Sequence, residues 1–167
     1  SNDTGTAYAG GTVQIGSEST DVVKVSGELR TVGAGAATTL RGSQITKDAV
    51  NTYNEGETTF GTEETRLVTL KKTNTLNHAS LTVLGKQIVF KDEAATDSGT
   101  TNEIGHEYIY AVNGSSVTIG SDATESVHVG DGIAIRASDF TVKGQHIVLG
   151  TKNLDYYHQW SGTATIG

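Results

Sequence analysis

Ser116–Gly130 reads SVTIGSDATESVHVG, and Thr12–Ser26 reads TVQIGSESTDVVKVS. Laid over one another, Val13, Ile15, Gly16, Ser17, Thr20, Val23 and Val25 coincide with Val117, Ile119, Gly120, Ser121, Thr124, Val127 and Val129. Glu18 and Asp21 fall on Asp122 and Glu125, one acid exchanged for the other. Each copy is a strand–turn–strand unit: apolar residues at period two, a Gly-led polar turn, then apolar residues at period two again. A strand this short with one apolar side cannot hold itself in place, so each copy must be completed by neighbours. The V-x-I-G word recurs loosely at Ile147–Gly150 and at Ala164–Gly167. Successive separations of 104, 30 and 17 residues, counted from Val13, Val117, Ile147 and Ala164, argue against a solenoid of fixed period.

Composition points the same way. The chain has 167 residues, 21 of them Gly, with 35% hydrophobic and 6% aromatic residues. That is too little bulky side-chain volume for a thick interior, and it suits short β-branched strands joined by Gly, Asn and Asp turns. Cysteine is absent, which removes disulfides and thiolate metal sites, so partner chains become an expected source of stability. A formal charge of −7 disfavours nucleic acid and anionic membranes as partners. No apolar run reaches membrane-spanning length, and the missing Met reads as a processed or excised piece.

Along the chain, residues 1–10 read as a linker or frayed start and 31–43, rich in small residues, as a close backbone approach or a loop. Ser43–Glu57 places Ile45, Ala49 and Tyr53 four apart, which predicts two turns of helix with Ser43 as N-cap and Gly56 as stop. Ala79–Lys91 reads as a hairpin around Gly85–Lys86, and Tyr108–Gly120 as a hairpin around Asn113–Gly114. Residues 92–107 form a polar stretch and a natural boundary. Three regions follow: 1–43 with the first repeat copy, 44–107 as a central β region or knob, and 108–167 as a shaft segment with the second copy. Inward-facing positions are expected at Val13, Ile15, Val23, Val25, Val117, Ile119, Val127, Val129, Ile133 and Ile135, with turn points at Gly16, Gly120, Gly130 and Gly132.

Chemistry-bearing motifs are sparse. The five histidines, His78, His106, His128, His146 and His158, form no metal-binding pair, and no nucleophile elbow or phosphate loop is present. Carboxylate pairs such as Glu63–Glu64 sit in solvated text, and Asp122, Glu125 and Asp131 match no Ca²⁺-loop spacing. No catalytic residue, metal or cofactor is assigned, and the chain is not expected to be an enzyme. The stretch that invites a binding role is Leu154–Trp160, LDYYHQW, where Tyr156, Tyr157, His158 and Trp160 concentrate flat amphipathic rings suited to sugars or to subunit contacts.

Ser116–Gly150 resembles the intertwined β shafts of bacteriophage tail fibres and tail spikes, and through IGSDATES and VGDGIAI it is similar to the head repeats of trimeric bacterial adhesins. The resemblance covers about 40 residues near the C-terminus and 15 near the N-terminus. It implies an elongated all-β protein of short strands, an intertwined homotrimer, and a virion or extracellular location. Partners would be copies of itself, other virion or filament proteins, and a host-surface glycan, without nucleic acid or membrane insertion. Two alternatives stand beside it. One is a subunit of a prokaryotic extracellular filament, such as a flagellin outer domain or a donor-strand pilus-like protein. The other is a monomeric carbohydrate-binding β-sandwich using Tyr156, Tyr157 and Trp160.

Overall fold

A computed structural model describes residues 3–7, 10–91, 108–130, 132–149, 158–160 and 163–167, with the backbone alone at 3–7 and 158–160. The described residues contain strands and no helix. In chain order the first coil is β1 (Asp3–Ala7), β2 (Thr12–Ile15) and β3 (Val22–Val25), and the second is β4 (Glu28–Val32), β5 (Ala37–Leu40) and β6 (Gln44–Lys47). The third coil is β7 (Asn51–Asn54), β8 (Glu57–Phe60) and β9 (Leu67–Leu70), and the fourth is β10 (Asn74–Asn77), β11 (Ser80–Val83) and β12 (Gln87–Phe90). The fifth is β13 (Ile109–Val112), β14 (Ser116–Ile119) and β15 (Ser126–Val129), and the sixth is β16 (Ile133–Arg136), β17 (Asp139–Val142) and β18 (His146–Leu149). A seventh coil supplies β19 (His158–Trp160) and β20 (Ala164–Ile166).

Each strand pairs in parallel with the third strand before it and the third strand after it, and the strands that end a sheet pair on one side. Three sheets result. Sheet A holds the first strand of each coil, sheet B the second and sheet C the third, with seven, seven and six strands. The chain is a three-sided parallel β-solenoid.

Strands of four residues are enough here because each turns only two side chains inward. Those side chains stack in register on the same position of the next coil: Ile15, Leu40, Phe60, Val83, Ile119 and Val142 form one such ladder in sheet B. Val23, Ile45, Val68, Ile88, Val127 and Ile147 form another in sheet C. The middle rungs are fully buried, each worth roughly 1.5–3 kcal/mol of transfer free energy, while Ile15 and Ile147, on the first and sixth coils, are only partly covered. The expected inward positions are borne out. Their missing half of the interior comes from the next coil of the same chain, where the sequence argument looked to partner chains.

The corner between sheets B and C explains the repeat. In odd-numbered coils it opens with a left-handed Gly and a four-residue turn: Gly16 to Thr20, Gly61 to Thr65 and Gly120 to Thr124. In each turn the Thr hydroxyl accepts an N–H three residues back, from Ser17, Thr62 or Ser121, at 2.9–3.0 Å. Even-numbered coils turn more tightly, at Arg41–Gly42–Ser43, Leu84–Gly85–Lys86 and Lys143–Gly144–Gln145. The two kinds of corner interlock. Thr65 donates to the Gly42 carbonyl below it at 2.9 Å, and Thr124 to that of Gly85 at 2.8 Å. A Cβ on Gly16, Gly61 or Gly120 would meet the carbonyl of Arg41, Leu84 or Lys143 in the coil above. The repeating unit is therefore a pair of coils. Its three marker glycines lie 45 and 59 residues apart (16 to 61, then 61 to 120), and omitting the 16 residues 92–107 brings the second interval to 43.

Several expectations are corrected. The helix expected at Ser43–Glu57 is β6, a corner at Asp48–Val50, and β7. Ile45 and Tyr53 do share the interior, but from two different sheets, because one strand plus one corner spans the same eight residues as two helical turns. The two hairpins are corners as well. β11 and β12 lie in different sheets, as do β13 and β14. Asn113 and Gly114 adopt the two left-handed conformations of a tight turn, with φ of 57° and 75°, yet the chain bends there from sheet A to sheet B without reversing. Residues 44–91 are further coils of the same stack and form no separate knob. The start of the chain carries β1, paired with β4. The solenoid has no fixed period because its corners vary in length, and three parallel sheets stand where one alternative expected a β-sandwich.

Candidate functional site

The aromatic stretch singled out in the sequence enters the fold at β19. Tyr156 and Tyr157 lie outside the described residues. His158 and Trp160 occupy sheet A positions in register with Ala134 and Arg136. One coil earlier, Tyr110 and Val112 are in register with Ala134 and, by continuation, Arg136. The strand alternation puts Ile109, Ala111, Ile133 and Ile135 inward, so Tyr110 and Arg136 face out. The Arg136 guanidinium lies 5.7 Å from the Tyr110 ring centroid, and its Nη1 reaches the phenolic oxygen at 3.5 Å. A cation held over an aromatic face is worth about 0.5–1 kcal/mol at an exposed site. The pair sets a ring and a cation side by side on the outer face of sheet A, next to the strand on which β19 is added. Tyr110 and Arg136 were not singled out in the sequence. Their signal was the outward phase of YIYAV and IAIRA, legible only once the inward phase is known.

The histidines do not gather. His78 sits in the corner after β10 in a left-handed conformation, φ 51°, with Nδ1 3.1 Å from the Asn113 carbonyl. His128 and His146 are exposed on the outer face of sheet C, on adjacent strands and offset by two residues. His106 and Asp131 lie outside the described residues. Asp122, in the fifth-coil turn, pairs with Lys143 at 3.6 Å across a solvated corner. Among the described residues no three His, Asp or Glu side chains come together as a metal site.

The interior holds polar groups of its own. Thr31, Thr38 and Thr58 share hydroxyl contacts of 2.7 and 2.8 Å. Asn51 donates to the Asn74 carbonyl oxygen at 2.9 Å, and the Tyr53 hydroxyl donates to the same oxygen at 3.2 Å. Asn74 spends its own amide on the backbone of Lys72 and Tyr108. Lys47 takes an inward rung between Val25 and Leu70, fully buried, with Nζ on the Ala49 carbonyl at 3.4 Å. Burial lowers its amine to about 8, against the opposing pull of the Glu28 and Asp48 carboxylates. Burial likewise raises the Tyr53 phenol well above its usual range. Apart from the Asn51 side-chain carbonyl oxygen, which is buried without a partner, these groups bond within the interior and are closed to solvent, which fits a structural role.

No protein-family model, curated protein or solved structure matches the chain.

Proposed function

We propose that the chain is a structural segment of a virion appendage, a tail fibre or spike, in which the solenoid serves as shaft and the Tyr110–Arg136 end of sheet A as a contact surface toward the host. The observation supporting this is the continuity of three parallel ladders through six coils and beyond, with interlocking corners at every second step. Load along the stack is carried by backbone hydrogen bonds on all three sides at once, and no side chain has to move to carry it. The resemblance of Ser116–Gly150 to phage shafts adds to the reading. In this proposal three solenoids stand side by side in a homotrimer, since each chain fills its own interior, and the location is the virion or cell exterior.

Light scattering coupled to size exclusion tests it. A single species of three times 17.4 kDa, about 52 kDa, is expected across a wide concentration range. A polymer that grows with concentration favours the extracellular-filament alternative, and a 17.4 kDa species at every concentration overturns the trimer.

A further inference from the structure

The outward rows of the three sheets differ in a way that strand propensity does not explain. On sheet B one row reads Gln14, Thr39, Thr59, Thr82, Thr118, Thr141 and Thr165, each paired directly with the next. The corresponding row on sheet C is Lys24, Thr46, Thr69, Val89, His128 and Val148. On sheet A it is Arg30, Thr52, Thr75, Tyr110, Ala134 and His158. A preference for β-branched residues acts on all three sheets alike, whereas six consecutive threonines occupy one.

Adjacent strands lie about 4.7–4.9 Å apart, so the six side chains form a line roughly 24 Å long with a single repeat. Their hydroxyls are also unspent. Thr31, Thr58, Thr65 and Thr124, in the interior and corners, all bond within the protein. Among the described residues none of the six outward hydroxyls has a protein partner. The companion row, about 6.7 Å away along each strand, carries Thr12, Ala37, Ser80, Ser116 and Thr163, all small. Its two acids are Asp139, which accepts the Thr163 N–H at 3.1 Å, and Glu57.

A line of uncharged hydroxyl–methyl pairs at one spacing, on strands in unbroken register, suits a ligand that is itself uncharged and periodic. Charged peptides and phosphates find no counter-charge on this row. Crystalline water does fit it: the strand repeat lies close to the oxygen repeat along the a axis of hexagonal ice, so hydroxyls take lattice-oxygen positions while methyls fill the gaps between. We infer that the outer face of sheet B binds ice through Thr39, Thr59, Thr82, Thr118, Thr141 and Thr165. This goes beyond the shaft role and needs no particular oligomeric state.

The test grows a slow ice front into a solution of the intact protein and measures the fraction captured, together with crystal shaping at the melting point. Capture well above that of an unrelated protein of equal size is expected. Thr82→Tyr and Thr118→Tyr project bulk from the face and should lose the capture, whereas Thr46→Tyr and Thr69→Tyr on sheet C should keep it, with circular dichroism confirming the fold of each. Wild-type protein rejected by ice like the control overturns the inference, as does unchanged capture by the folded sheet B variants. If a Tyr variant does not fold, Thr118→Lys, which sets a charge in the row, takes its place with the same expected loss.

Discussion

Gly120 and Gly144 both lie in the corner between sheets B and C, one coil apart, and they answer differently to a methyl group. Gly120 has φ 79°, and its Cβ would strike the Lys143 carbonyl. At Gly144 the nearest atom is a Val127 methyl at 3.4 Å, and the backbone is not left-handed. Gly120→Ala should lower stability by about 2 kcal/mol or more, from left-handed strain plus a backbone collision. Gly144→Ala should stay within about 1 kcal/mol of the parent, both read from urea midpoints. Lys47 gives a second prediction at this scale, in pH. Its folded amine titrates near 8 and its unfolded amine near 10.5. Between those values the unfolded state holds the extra proton, so stability rises with pH across the window, by up to roughly 3 kcal/mol. Above about pH 10 Tyr53 reverses the slope, because its raised folded pKa leaves the unfolded state to ionise first. Lys47→Met should be more stable than the parent at pH 7 and should flatten the rise between pH 8 and 10 in thermal melts. Neither effect could be read from the sequence. KDAV looks like any solvated strand end, and only the inward phase of β6 turns Lys47 into the core.

At the scale of the element, the Gly–x–x–x–Thr corner is what the sequence disclosed and also what it concealed. The copies at Gly16 and Gly120 share enough letters to be seen. The copy at Gly61, FGTEETRLV, has Phe where the others have Ile and Thr where they have Ser, so letter matching passes over it while hydrogen bonding preserves it. The apolar phase of each strand was legible, since period-two alternation follows from the pleat whatever the strand's partner. Partner and direction were not, because a four-residue strand followed by Asn-Gly looks the same before a hairpin and before a corner between two sheets. The same ambiguity hid Tyr110 and Arg136, whereas the aromatic cluster at 154–160 could be seen but not placed. The corner also makes a graded prediction. Thr124 is buried and bonds both its own turn and the Gly85 carbonyl of the coil below, whereas Thr20 is half-exposed, on the first coil, with hydroxyl contacts only inside its own turn. Thr124→Val should cost about 1–3 kcal/mol by stranding a buried acceptor and donor, and Thr20→Val clearly less. Equal losses in denaturant melts would show that the cross-coil bond contributes nothing.

For the whole molecule, alternating corners mean that coils are not interchangeable, and shortening the chain should obey that rule. Removing residues 61–119 joins Phe60 to Gly120, so β8 runs into an odd-type corner and the odd–even alternation is kept. Thr124 then stands over Gly42, as Thr65 did before. Removing only residues 61–83 joins Phe60 to Leu84 and places an even-type corner directly on the even corner of the second coil. Gly42 then loses the hydroxyl that its carbonyl accepts at 2.9 Å, and the left-handed Gly of the odd corner is gone from beneath the Leu84 carbonyl. Both deletions remove Asn74, so the interior amide ladder is cut equally in each. Stability in stacked repeats is approximately a sum of unit and nearest-neighbour terms, which favours the longer chain when all interfaces are alike. Here they are not alike, and the shorter protein should melt at the higher temperature, with sharper unfolding by circular dichroism. If the one-coil deletion proves the more stable of the two, the coils stack independently of corner type, and the two-coil unit is a pattern in the letters alone.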